Sequence, residues 1–318
     1  FFPFPSSAMQ RTVAFLAVLM GCFMLALAIN DDTSILFVRG PLPKTQKISE
    51  TSFADLLSHT LGLEPINPDQ KRHNFPHVDL FDLPRSNLFV SVDGVGSASN
   101  FFPNAYKVNV NRNNVVQDSL GYLVTLLTGA TVAEHEIFGH SWSVDNQVVE
   151  AFSGPAAEPK AISVSDRLFE ASKDSLVVCL SFDKQMAEAL AAHRPTASRV
   201  FFYSESAQAF VDERNPSSVL LTKQQILEFA LSLDDSTLPF PVVAELAAIR
   251  LLPTLLASLP RASTPTYVAV VISSTRQITA SSPQLLSSVL PLFQAELTTV
   301  DQSLGERSAM QVALLGSS

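Results

Sequence analysis

Two stretches of this chain carry residues whose types could do chemistry. His135-Glu136-Ile137-Phe138-Gly139-His140 puts two imidazoles and a carboxylate within six residues. A zinc hydrolase of the H-E-x-x-H kind needs its histidines four apart, so that both rings share one helical face with the glutamate between them as base. Here Gly139 stands at the fourth position and His140 at the fifth. On a helix the two rings would point about 140° apart. Nothing nearby supplies a third ligand with recognisable spacing, so the expectation is a loop with two ordinary polar histidines and no metal.

The second stretch is Val92-Asp93-Gly94-Val95-Gly96, which follows a strongly apolar run. It places Asp93 at the C-terminal end of a strand, where α/β proteins bind their ligands. A metal-binding aspartate or a phosphate-cradling turn would both suit that place. No glycine follows up to Asn100 to complete a dinucleotide fingerprint, however, and a lone G-x-G is weak. A structural turn is the plainer expectation. Neither a G-x-S-x-G elbow nor a P-loop occurs.

The elements that must position these residues are legible from periodicity. Near-continuous apolar runs at Ser34–Val38, Asn87–Val92, Ser175–Ser181, Arg199–Tyr203, Tyr267–Ile272 and Gln311–Leu315 suit strands buried on both faces. Helical patterns lie between them, at Ser49–Leu63, Val115–Leu127, Ser163–Ser172, Asp183–His193, Thr222–Leu233, Pro241–Leu259 and Ser282–Val300. Pro253 should kink the sixth. Strands alternating with helices predict an α/β fold, with a mostly parallel sheet and helices on both faces.

With 318 residues, 47% hydrophobic and 16% charged, the chain can bury a large core. Its net charge of −9 and lack of a basic stripe exclude nucleic acid as a partner. Arg11 precedes the apolar stretch Val13–Ala28, which ends in Ala26-Leu27-Ala28, the layout of a cleaved secretory signal peptide. Its sixteen residues fall short of the roughly 20 that span a bilayer. Residues 1–28 are therefore read as upstream residues plus signal, and 29–318 as a single luminal domain. Cys22 lies in the signal, leaving Cys179 as a buried small hydrophobe without a disulfide.

Three stretches together resemble the luminal domain of the renin receptor family, accessory proteins of the vacuolar-type proton ATPase. They are Ser34–Pro43 (SILFVRGPLP), the helix 48–63 with its continuation Leu83–Val95 (LPRSNLFVSVDGV), and the last helix running into Met310–Leu315. That resemblance implies a non-catalytic role in pump assembly or trafficking in endomembranes. The partners would be membrane-sector subunits, and the anchor would be a single span beyond Ser318.

A second, more remote resemblance is to the alkaline-phosphatase-like superfamily. It rests on Asp93 as the strand-end aspartate and on Asp118–Trp142 (DSLGYLVTLLTGATVAEHEIFGHSW), which resembles that superfamily's stretch from nucleophile helix to glycine-containing turn. It implies a metal-dependent hydrolase of the secretory lumen. The late metal-binding half is missing: only His193 follows His140, and no D-x-H or D-H-G occurs. The resulting expectation is a luminal binding protein or pseudoenzyme: not an enzyme, with no catalytic, cofactor-binding or metal residues and no cofactor.

Overall fold

The computed structural model describes residues 33–40, 42, 47–64, 66, 86–95, 101–111, 118–191, 198–212, 214–215, 218–233, 237–259 and 266–316. The signal-peptide expectation, Cys22, His193 and residues Leu83–Arg85 of the first resemblance lie outside them.

Twelve strands occur among the described residues: β1 (Thr33–Arg39), β2 (Lys47–Ser49), β3 (Ser86–Asp93), β4 (Tyr106–Asn111), β5 (Ser141–Val144), β6 (Gln147–Glu150), β7 (Leu176–Ser181), β8 (Ser198–Ser204), β9 (Ala209–Asp212), β10 (Val219–Thr222), β11 (Thr266–Ile272) and β12 (Ser308–Leu315). Interleaved with them are helices α1 (Phe53–Thr60), α2 (Ser119–Thr128), α3 (Val132–His135), α4 (Val164–Ala171), α5 (Lys184–Leu190), α6 (Lys223–Leu231), α7 (Phe240–Ser258), α8 (Ser274–Ser281) and α9 (Pro283–Leu304).

Ten strands form one sheet, in the order β10-β9-β8-β7-β11-β3-β12-β1-β4-β2. Its five central strands, β8 to β12 in that order, are parallel to one another. β1 reverses direction on one side and β9 on the other. The predicted α/β class therefore holds, with a parallel centre and mixed flanks. The six predicted strands are all present; β2, β4, β5, β6, β9 and β10 were not anticipated.

The central strands are apolar throughout because both faces are covered. Along β3, Leu88, Val90 and Val92 point to one face and pack with α7 and α9, while Phe89 faces α1 and α2. Phe89 is fully buried, with its ring 5.7 Å from that of Phe53. Burying a side chain of this size contributes about 1.5–3 kcal/mol. Cys179 is buried within the same layer, and burial raises its thiol far above the ordinary range.

α7 is long and apolar enough to cross a membrane by length and composition. Here Val242, Leu246, Ile249 and Leu252 are instead buried against the sheet. The helix continues through Pro253. α2 is capped by Asp118, whose carboxylate accepts from Leu120 N at 2.8 Å, and it ends on Gly129 in the left-handed region.

Candidate functional site

β3, β11 and β7 are adjacent and parallel, so their C-terminal ends open on one edge of the sheet. The turn after each strand delivers a charged side chain there. Asp93 closes β3, Arg276 follows β11, and Asp183 follows β7 as the N-cap of α5. The start of α2 adds Asp118 and Ser119, and the segment before β5 adds His140.

Ser119 Oγ accepts a hydrogen bond from Arg276 Nη1 at 3.0 Å. The Ser119 hydroxyl also lies beside the Asp93 carboxylate, whose proton affinity it lowers. The same Arg276 Nη1 stands 3.8 Å from Asp93 Oδ2. Asp93 is 3% exposed, while the Arg276 side chain is 44% exposed. The serine hydroxyl thus sits between a buried carboxylate and a guanidinium that reaches solvent. Burial raises the carboxyl of Asp93 above its usual range, against the opposing charge of Arg276.

Beside this pair runs a carboxylate–imidazole–carboxylate line. His140 Nδ1 is 3.1 Å from Asp118 Oδ2, and His140 Nε2 is 3.9 Å from Asp183 Oδ2. With both ring nitrogens near carboxylates, the protonated imidazolium is stabilised. The hydrogen bond to Asp118 raises His140 above the ordinary imidazole value, despite partial burial. Burial works to raise Asp118, but the hydrogen bond and charge of His140 outweigh it, and its carboxyl is held below the usual range.

The local backbone is built to permit these contacts. Gly94 lies at φ +78°, and a Cβ there would meet Arg276 Cα at 2.7 Å. A Cβ on Gly139 would meet Asp118 Cγ at 2.9 Å. Thr275 Oγ1 lies 2.6 Å from the carbonyl oxygen of Asp93, joining the two strand ends. Glu245, buried on α7, accepts from the backbone N–H and hydroxyl groups of both Ser273 and Ser274, which fixes the turn that carries Arg276. Burial pushes the Glu245 carboxyl up to about 7.

The two histidines of the near-miss zinc motif part company. His135 is fully buried; its Nδ1 accepts from Ile137 N at 3.0 Å, which leaves Nε2–H to donate to Thr125 Oγ1, also at 3.0 Å. Burial lowers it to about 4, so it is a neutral core histidine. His140 alone joins the cluster. Gly139, which breaks the zinc spacing, is the residue that lets Asp118 approach. The turn at Gly94 brings the Arg276 backbone against the end of β3.

Asp93 is the one residue here that sequence reasoning had singled out for a strand-end role, and His140 was weighed only as half of a zinc motif. Ser119, Asp118, Asp183, Arg276 and Glu245 were not identified. Ser119 does lie inside the stretch that resembles a nucleophile helix, directly after an N-cap aspartate, and that position was the available signal.

The superfamily resemblance implies metal ions, and the described residues do not fit them. Among these residues no three His, Cys, Asp or Glu side chains are grouped to hold an ion. The aspartate that would lead such a set faces a guanidinium instead.

No protein-family model matches the chain, and no curated protein matches it. The renin receptor resemblance therefore finds no support. Among solved structures, the chain is similar to phosphonoacetate hydrolase from Sinorhizobium meliloti 1021, in complex with phosphonoformate, at 15% identity and a TM-score of 0.42. The match covers 69% of this chain and 54% of that one, so it spans about half the length of the hydrolase. The expectation of a non-enzyme is corrected: the similar structure is that of a hydrolase, and the fold gathers Ser119, Asp93, Arg276, Asp118 and His140 at one edge of the sheet. The sequence could not show this because Arg276 lies 157 residues from Ser119.

Proposed function

We propose that the chain is a hydrolase of anionic esters, phosphoryl esters foremost, with Ser119 as its nucleophile. One observation carries this reading: the Ser119 hydroxyl lies at the N-terminus of a ten-residue helix, between a buried carboxylate and an arginine. A serine needs an adjacent base to become nucleophilic, and Asp93 is the carboxylate beside it, with Arg276 Nη1 within 3.0 Å of Ser119 Oγ and 3.8 Å of Asp93 Oδ2. A developing negative charge needs fixed donors, and Arg276 and the positive end of α2 both face that point. The planar fork of an arginine suits a phosphoryl group, whereas a neutral ester has no use for it.

In the proposed reaction Asp93 takes the proton from Ser119 Oγ as that oxygen attacks phosphorus. The bond to the leaving oxygen breaks, and Asp93 returns the proton to it. Water then attacks the phosphoseryl group, giving its proton to Asp93. The phosphorus–Oγ bond breaks, inorganic phosphate leaves, and the proton passes back to Ser119. Arg276 holds the non-bridging oxygens throughout.

The test is turnover of a panel of p-nitrophenyl phosphate, phenylphosphonate, sulfate and acetate esters. The phosphate or phosphonate ester should be cleaved, and Ser119→Ala should lower the rate roughly a thousandfold or more. Absence of turnover on every ester, or an unchanged rate in Ser119→Ala, would remove the reading.

A further inference from the structure

The structure assigns to Arg276 the place of a built-in cation: the centre binds the anionic group of its ligand through this guanidinium, without a metal ion. Where a divalent ion bridges a carboxylate and a nucleophilic oxygen, it must contact both. Arg276 Nη1 does this here, 3.0 Å from Ser119 Oγ and 3.8 Å from Asp93 Oδ2. A hard divalent ion holds oxygens at about 2.0–2.6 Å and would have to share this space with a fixed positive charge. Like charges this close repel, the more so beside the buried Asp93 carboxylate.

Arg276 is also anchored by more than its own side chain. The Gly94 turn admits its Cα at a distance no other residue type would allow. Thr275 ties its turn to the carbonyl of Asp93, and Glu245 ties Ser273 and Ser274 from behind. An arginine serving only as a surface solubiliser needs none of this. The guanidinium contacts Ser119 through Nη1, and the side chain is 44% exposed, within reach of a ligand from solvent. Phosphate, phosphonate and sulfate share the chemistry that such an edge recognises, two oxygens in one plane.

This inference rests on the ester-hydrolase reading for the choice of ligand class, yet its outcome can be told apart from it. The measurement is titration of the purified chain with inorganic phosphate by calorimetry, with excess EDTA and again with added zinc, together with the metal content of the protein as isolated. Phosphate should bind equally with and without chelator. Arg276→Gln should weaken binding roughly tenfold or more, the scale of one charge-assisted contact. Ser119→Ala should retain phosphate binding while losing any ester cleavage, which separates a failed hydrolase reading from a failed anion site. Circular dichroism of Arg276→Gln establishes that the variant is folded, and Arg276→Lys, which keeps the charge and loses the fork, should fall between. Binding that vanishes in EDTA and returns with zinc would overturn the inference. So would the absence of phosphate binding by the wild-type chain, or equal binding by Arg276→Gln.

Discussion

Gly139 and the Asp118 side chain touch: a Cβ at residue 139 would stand 2.9 Å from Asp118 Cγ and 3.0 Å from Oδ2. Gly139→Ala must therefore push the carboxylate away from both His140 and the start of α2. Loss of the N-cap costs about 1 kcal/mol. Urea unfolding should report that loss, and proton NMR should show the His140 imidazole titrating closer to its ordinary value than in the wild type. An alanine variant with unchanged His140 titration would show that the carboxylate has another route to the ring.

The pair of His140 and Asp118 gives stability a defined pH dependence. His140 is raised in the folded chain, so its contribution is complete below the ordinary imidazole value and is lost as pH rises through the folded one. Asp118 is lowered, so its contribution is present above the ordinary carboxylate value and is lost as pH falls through the folded one. The difference in unfolding free energy between wild type and His140→Gln should be largest between those limits and shrink on either side. A difference that stays flat from pH 4 to pH 9, roughly the span of the two ordinary ranges, would show that the pair is not coupled.

Glu245 carries the opposite sign. An acid whose folded value is pushed up to about 7 retains its proton in the native chain while the unfolded chain has already released it. Its contribution is therefore most favourable below the ordinary glutamate value and is lost as pH rises toward 7. Glu245→Ala should destabilise the chain by about 1–3 kcal/mol, because it strands the N–H groups of Ser273 and Ser274. The same variant should weaken anion binding through the loosened Arg276 turn. Stability unchanged from wild type would remove this role.

His135 separates structure from chemistry. Its two nitrogens satisfy Thr125 and Ile137 inside the core. His135→Ala should lower the melting temperature, for a cost of about 1–3 kcal/mol, and leave the pH profile of ester cleavage where it was. An altered profile would place this ring in the reaction after all.

Much of the fold could be read from the residues alone. Runs such as Asn87–Val92 and Tyr267–Ile272 are apolar at every position, and only a strand covered on both faces tolerates that. The strands that escaped are those without such a signal. β4 (Tyr106–Asn111) alternates lysine and asparagine with valine near the sheet edge, and β9 spans only Ala209–Asp212. The hairpin of β5 and β6 turns at Asp145 and Asn146, both at positive φ, and its strands carry mostly exposed residues.

The site was harder for a different reason. His135 and His140 look alike in sequence, and only the packing of α2 shows that one is core and the other faces two carboxylates. Arg276 belongs to no motif, since it gains its meaning from a parallel pairing of β3 and β11 that no local pattern reveals.

That pairing runs in strict step from Thr266 opposite Ser86 to Ile272 opposite Val92. It sets how far Arg276 stands above Asp93, because each residue of slippage would shift the arginine by about 3.3 Å along the strand. Spacing along this edge is thus a property of the ladder, while its charges come from the ends of β3, β7 and β11, the start of α2 and the segment before β5. Residues after β3, β7 and β11 could therefore be exchanged, changing the charges at that edge, while every rung of the ladder stays in place.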